Sequence, residues 1–188
     1  MRVLVLNGSL QGDSFVGPVH DIVIEELKAK GWEVEAVVLR DIEISHCLGC
    51  FKCWTKTPGV CSIDDAARDV AKKVVQSDLL LMVTPVTFGG YSSELKKAID
   101  RCIPIISPFF MKVDGEVHHK PRYKKYPSLL GIGVLVAEDM QSENVFKALV
   151  SRHAINMHSP YWDAEVVAND EKQDHVREKI NALLAKAG

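Results

Sequence analysis

The sequence predicts an α/β protein: a five-stranded parallel sheet with helices packed on both faces. Three observations carry that expectation. The runs Arg2–Leu6, Leu79–Thr84 and Leu130–Val136 are short, largely apolar and rich in Val, Ile and Leu, as strands buried on both faces are. Segments with helical spacing lie between them. Strand and helix then keep alternating along the chain, which argues for parallel strands joined by right-handed crossovers. The spatial order expected for the sheet is 2-1-3-4-5.

The elements follow in order. After Arg2–Leu6, a helix starting near Val16 and running through Asp21–Lys30 ends at Gly31. The alternating run Glu33–Leu39 is the second strand. In Ile63–Ser77 the residues Ile63, Ala67, Val70, Ala71, Val74 and Val75 form one apolar stripe, with Ser62 placed to cap it. Leu79–Thr84 is the third strand, and Glu94–Ile106 repeats the helical stripe behind a cap at Ser92 or Ser93. Cys102 lies on that inward stripe and reads as packing. Leu130–Val136, a helix over Ser142–Asn156, the short strand Ala164–Ala168 and a helix over Asp170–Ala185 complete the pattern.

Composition bounds the rest. At 188 residues the chain is expected to be one domain over 1–188. Hydrophobic residues make up 47% and the net charge is −2, so nothing electrostatic invites nucleic acid or an anionic membrane. No apolar run approaches the roughly 20 residues a membrane helix needs. A cytoplasmic location is the expectation, and in a reducing compartment clustered cysteines serve as ligands or redox groups more often than as disulfides.

In an open parallel sheet the ligand sits outside the carboxyl ends of the strands, where the strand order reverses. That directs attention to the loops after the first and third strands. The first, NGSLQGDSFVGP (7–18), offers the hydroxyls of Ser9 and Ser14 and the N-terminus of a helix, a setting that suits a phosphate. It contains neither G-x-G-x-x-G nor a Walker lysine. The second, TPVTFGGYSSELKKAIDR (84–101), has Pro85 ending the strand and Val86, Thr87 and Phe88 as an apolar lip. Gly89 and Gly90 allow close approach there, a combination that suits a flat heterocycle with polar edges.

This second loop resembles the NADPH-dependent FMN reductase family, whose members carry TPV-aromatic-x-GG-x-S followed by L-K-x-x-x-D-R; the likeness runs from VLVLNGS to AINM (154–157). The resemblance implies a flavodoxin-like three-layer sandwich and an FMN cofactor. It implies that Ser9, Gln11, Ser14, Phe15 and Val16 hold the phosphate end, and that Pro85, Val86, Thr87, Phe88 and Gly89 hold the ring. It also implies NAD(P)H as electron donor and a small acceptor such as a quinone or free flavin. Two departures stand out. Relatives often have Pro-Arg where this chain has Leu10 and Gln11, and a Gly-rich loop where it has VAEDMQSE (136–143).

Cys47, Cys50, Cys53 and Cys61 form C-x2-C-x2-C-x7-C after the second strand. Four thiolates at such short spacings suit a 4Fe–4S cluster. Zinc sites more often pair two separate knuckles, and cysteines without any metal are the third reading. Within the family, this run resembles the iron–sulfur flavoproteins.

The stretch 107–128 is long for a connection and reads as a hairpin arm turning at Asp114-Gly115. Its aromatic residues ask for cover, which points to a homodimer or homotetramer; His118 and His119 read as residues of a solvated strand. The functional expectation is an FMN-dependent NAD(P)H oxidoreductase. The alternatives are an electron carrier with a 4Fe–4S cluster and a non-catalytic domain whose flavin site has decayed.

Overall fold

A computed structural model describes residues 1–187. The elements run β1 (Arg2–Asn7), α1 (Val16–Ala29), β2 (Glu33–Val38), α2 (Lys52–Thr55), α3 (Ala66–Gln76), β3 (Leu79–Pro85), α4 (Ser93–Asp100), β4 (Ile106–Val113), β5 (Glu116–Pro121), β6 (Ser128–Leu135), α5 (Met140–Asn156), β7 (Trp162–Ala168) and α6 (Gln173–Ala185). The main sheet is β2-β1-β3-β6-β7, with every pair parallel. This is the expected order, since β6 and β7 are the fourth and fifth strands of that sheet. The arm adds a separate antiparallel pair, β4 and β5, turning at Asp114 and Gly115 with φ of 49° and 86°.

Alternation along the buried strands divides the interior into two cores. Val3, Val5, Leu79, Leu81, Leu130 and Ile132 face α1 and α6. Leu4, Leu6, Leu80, Met82 and Leu129 face α3, α4 and α5. On that second face Gly131 and Gly133 let α5 come close: a Cβ on Gly131 would stand 2.7 Å from Val150. A Cβ on Gly133 would stand 2.7 Å from Val86 and 3.1 Å from Phe146. The edge strand β2 keeps only partial burial, which explains its weaker sequence signal.

Several boundaries differ from expectation, among them the starts of β6 at Ser128, β7 at Trp162 and α6 at Gln173; three helix boundaries have a visible cause. Helix α3 begins at Ala66, capped by the Asp65 carboxylate, which accepts the Ala67 N–H; Ser62 does not cap it. Helix α4 stops at Asp100, because Pro104 has no N–H to continue it, and the chain passes through a 3-10 turn over Ile103–Ile105. Helix α5 starts at Met140, two residues before Ser142, because the Asp139 carboxylate accepts the N–H groups of Gln141 and Ser142. No described helix is long and apolar enough to cross a membrane.

Candidate functional site

Because the strands are parallel, the loops after β1, β2 and β3 emerge at one edge of the sheet. The loop after β1 is held from inside. The Asn7 carboxamide accepts the Ser9 N–H at 2.9 Å, and the Gly8 N–H donates to the Val83 carbonyl at 2.8 Å. Gly8 occupies a tight cradle, where an added Cβ would meet Leu95 Cβ at 2.8 Å, Ser92 Oγ at 3.0 Å and Thr84 Oγ1 at 3.1 Å. Glycine is needed here for close approach, whereas the sharp turn is made at Gly12, whose φ is 78°.

The Ser9 hydroxyl is buried and has no partner. A ligand or a water reaching this loop would complete its bonding. Gln11 and Ser14 are exposed, Phe15 is half-buried and Val16 lies in the core. The Asp13 carboxylate accepts the N–H groups of both Phe15 (2.9 Å) and Val16 (3.1 Å). The start of α1 is therefore already capped by an anion supplied by its own loop.

The loop after β3 is a tight turn. Thr87 and Gly90 exchange N–H···O bonds of 3.0 and 2.9 Å, with Phe88 and Gly89 at the corners in the left-handed region, φ 50° and 75°. A Cβ on Gly89 would strike Val145 of α5 at 2.7 Å, so the turn is pressed against that helix. Pro85 is buried and Val86 half-buried, while Thr87 is exposed and Phe88 stands wholly in solvent. Ser92 ties the two loops together. Its hydroxyl donates to the Gly8 carbonyl at 2.5 Å and accepts the Leu95 N–H at 3.2 Å, and its own N–H donates to Thr84 Oγ1 at 3.1 Å. Behind the turn the Tyr91 hydroxyl reaches His153 Nδ1 at 3.3 Å, and burial brings that histidine down to about 4.

The loop after β2 carries the cysteines, and two arginines fix it. Arg40 donates from Nη1 to the Leu10 carbonyl at 3.0 Å, bringing a cation to the first loop. Arg101 is almost fully buried, at 1% exposure, and forms a two-pronged ion pair with Asp65 at 2.8 Å on each prong. It also donates to the carbonyls of Ser45 (2.7 Å) and Ile63 (3.3 Å), closing the loop at both ends. Burial opposes the charge of Asp65; Arg101 and the amides of Ser45 and Ala67 outweigh it and bring the carboxyl down to about 2.

Between those ends, Cys47, Cys50, Cys53 and Cys61 all line one hollow, walled by apolar residues that include Leu48, Ile103 and Pro104. Cys47 and Cys50 are exposed, Cys61 half-buried and Cys53 buried. Burial raises the Cys53 thiol, and the sulfurs of Cys61, Cys47 and Cys50 push it the same way. Cys50 is lowered, chiefly by the Lys52 amide and then by the Ser62 hydroxyl. Among the described residues, no three His, Cys, Asp or Glu side chains converge as one bound ion would require. Trp54 anchors the loop to the base of the arm, donating from Nε1 to the Ile106 carbonyl at 3.0 Å.

The family model for NADPH-dependent FMN reductase matches residues 1–162. The chain belongs to this family. An iron–sulfur flavoprotein of Methanocaldococcus jannaschii is 32% identical over 119 residues, 62% of this chain and 61% of that one. An iron–sulfur flavoprotein of Archaeoglobus fulgidus is 34% identical over 101 residues, 54% and 48% of the two chains. The matches thus span roughly half to three-fifths of those relatives' length. Among solved structures, an FMN-dependent NADH-azoreductase from Bacillus anthracis in complex with FMN aligns with a TM-score of 0.71 at 13% identity, covering 100% of this chain and 99% of that one. An NAD(P)H:quinone oxidoreductase from Methanothermobacter marburgensis aligns with a TM-score of 0.70 at 12% identity, covering 100% and 95%. At that identity the two structures establish the shared flavodoxin-like fold.

In this member of the family, the residues anticipated from the sequence fall into three sets. Ser9, Gln11, Ser14 and Phe15 share the β1–α1 loop and Val16 opens α1, but the Val16 N–H is already taken by Asp13. Pro85 to Gly89 share the β3–α4 turn. The four cysteines share one hollow. Arg40 was missed, because it lies outside every motif and reaches the first loop from 30 residues away. One expectation fails: His118 is not solvated. It is 7% exposed, with ring nitrogens 2.9 Å from the Asn156 carboxamide oxygen and 3.0 Å from a Glu116 carboxylate oxygen, because α5 packs over that part of the arm.

Proposed function

We propose that this chain is an FMN-dependent oxidoreductase that takes electrons from NAD(P)H, holds a 4Fe–4S cluster on Cys47, Cys50, Cys53 and Cys61, and delivers electrons to a small acceptor. FMN supplies acceptance of an electron pair and release of single electrons, and the cluster supplies single-electron transfer. The observation that carries the reading is the gathering of all four cysteines around one hollow, in a loop tied by Arg40 to the loop bearing the orphaned Ser9 hydroxyl.

Each part of the chain has a task in this reading. Ser9, Ser14 and Gln11 offer donors to the FMN phosphate, and Arg40 supplies the cation that Gln11 does not. Ser92 keeps Gly8 and the turn in register, so the phosphate end and the ring end are held at a fixed span. Pro85 to Gly89 shape the ring platform, and exposed Thr87 and Phe88 leave it open to a small second substrate, which favours a quinone or free flavin. Structural zinc sites usually pair two separate knuckles; three cysteines in short steps plus a fourth favour a 4Fe–4S core. The arm exposes Phe109, Phe110 and Val117, which favours a homodimer or homotetramer.

Anaerobic purification followed by an absorption spectrum, flavin extraction and iron and acid-labile sulfide analysis tests the proposal. Bound FMN together with close to four iron and four sulfide per chain is the expected result, with the flavin bleached on mixing with NADPH or NADH. Colourless protein that ignores added FMN would return the chain to a non-catalytic role. FMN with no iron would leave a cluster-free reductase. Light scattering on the same sample reads the subunit number.

A further inference from the structure

Arg101 has a donor that its structural duties leave over. A guanidinium carries five N–H groups. Nη1 bonds the Ser45 carbonyl and one Asp65 oxygen, while Nη2 bonds the Ile63 carbonyl and the other Asp65 oxygen. Those four contacts account for the four terminal N–H groups. The fifth, on Nε, is buried and has no hydrogen-bond partner. Burial opposes the arginine's charge, and Asp65 and Cys61 support it. Arg101 also lines the hollow shared by the four cysteines.

We propose that Arg101 is a positioning residue of the cysteine site, whose Nε–H donates a charge-assisted hydrogen bond to the Cys61 sulfur and thereby raises the reduction potential of the cluster held there. The inference rests on the cluster reading given above. Its physical basis is simple. Reduction places one more negative charge on the iron–sulfur core and its thiolates, so a buried cation bonded to one of those sulfurs stabilises the reduced state more than the oxidised one. Asp65 takes the opposite edge of the guanidinium, so the cation lies between two anions and holds its fork in place. Arg68 adds to the same field from the backbone side, with Nε on the Cys61 carbonyl at 2.8 Å, although Asp64 pairs with it.

The experiment is an EPR-monitored redox titration of anaerobically prepared full-length protein: wild type, Arg101→Lys, Arg101→Gln and Asp65→Asn. Iron, sulfide and FMN contents are measured on each sample. Arg101→Gln removes the charge and Nε. Arg101→Lys keeps the charge and loses the fork, and is the fallback if the Gln variant does not fold. Asp65→Asn removes the opposing anion and leaves Nε in place. The expected result is shifts of opposite sign. The equilibrium constant for cluster reduction falls at least tenfold in Arg101→Gln, a drop of about 59 mV for one electron. It falls less in Arg101→Lys, and it rises in Asp65→Asn.

A purely structural staple predicts instead that all the variants lose iron while the remaining clusters keep the wild-type potential, and that outcome overturns the proposal. Potentials that move the same way in the arginine and aspartate variants overturn it as well. Wild-type protein that takes up no iron and sulfide removes the cluster reading and this inference together. Full iron content with unshifted potentials removes the inference alone.

Discussion

Replacing Gly8 by alanine tests whether the edge of the sheet is built as described. The new Cβ would stand 2.8 Å from Leu95 Cβ, where carbon pairs prefer about 3.5–4.0 Å, so something must move by roughly an ångström. Neither side can rotate away, since a Cβ moves only with its backbone and Leu95 is fully buried in α4. Overpacking of this kind costs about 1–3 kcal/mol. Displacing Gly8 also strains its bonds to Val83 and Ser92, and losing one of them costs about 1 kcal/mol more. The expected loss is thus about 2–4 kcal/mol, a large part of a domain's usual stability. With a urea slope of about 2 kcal/mol/M, the unfolding midpoint falls by roughly 1–2 M. Gly17→Ala is the control: nothing lies within 4 Å of its added Cβ, and alanine in a helix gains about 0.5–1 kcal/mol over glycine. Urea denaturation followed by circular dichroism measures both. A Gly8→Ala midpoint within about 0.3 M of wild type would refute the close contact between the two loops.

Other expectations concern charge. Asp13→Asn keeps an acceptor for the Phe15 and Val16 amides while removing an anion from the proposed phosphate loop. FMN should then bind about tenfold more tightly by fluorescence titration, on the order of 1.4 kcal/mol, and unchanged or weaker binding would show that Asp13 does not oppose the phosphate. Arg40→Gln should weaken FMN binding by a similar factor, with a difference from wild type that shrinks as salt is raised; equal affinities at low salt would remove Arg40 from the site. His153 is held at about 4, below its unfolded value of 6.5, chiefly by burial. The unfolded chain therefore takes up that proton first. The contribution is intact above pH 6.5 and declines as the pH falls toward 4, by up to about 3 kcal/mol. His153→Gln should flatten the dependence of Tm on pH in that window, and an unchanged slope would place the acid sensitivity elsewhere.

The sheet was legible in the sequence because β1, β3 and β6 are buried on both faces and their apolar runs have no competing explanation. Edge strand β2 gave a weaker signal for the same physical reason. Helix starts were less legible where several caps stood in a row. Ser62, Asp64 and Asp65 could each begin α3, and the choice falls on Asp65 because Arg101 and the Ser45 N–H hold its carboxylate from outside the helix. Local propensity does not encode that. His118 shows the same limit: alternation places it on one face of a hairpin strand, but only the packing of α5 makes that face the inner one. The cysteine spacing placed four thiols in one short loop, where they line a single hollow, yet Arg40 carried no local signal.

The three loops at the carboxyl edge are joined mainly through backbone carbonyls: Ser92 to Gly8, Arg40 to Leu10, and Arg101 to Ser45 and Ile63. A carbonyl can be bonded from any side chain that reaches it, so the loops can vary in sequence while their relative placement stays fixed. The cysteine loop uses that freedom. None of its four cysteines belongs to either of the two cores flanking the sheet, which are complete without it. A small zinc domain folds around its metal and unfolds without it; here the sheet, the Asp65–Arg101 pair and the carbonyl bonds already set the loop's two ends. Under the proposed function, a cluster would therefore order sulfurs within a frame set by the sheet and the Asp65–Arg101 pair, and the two cores flanking the sheet would carry the fold.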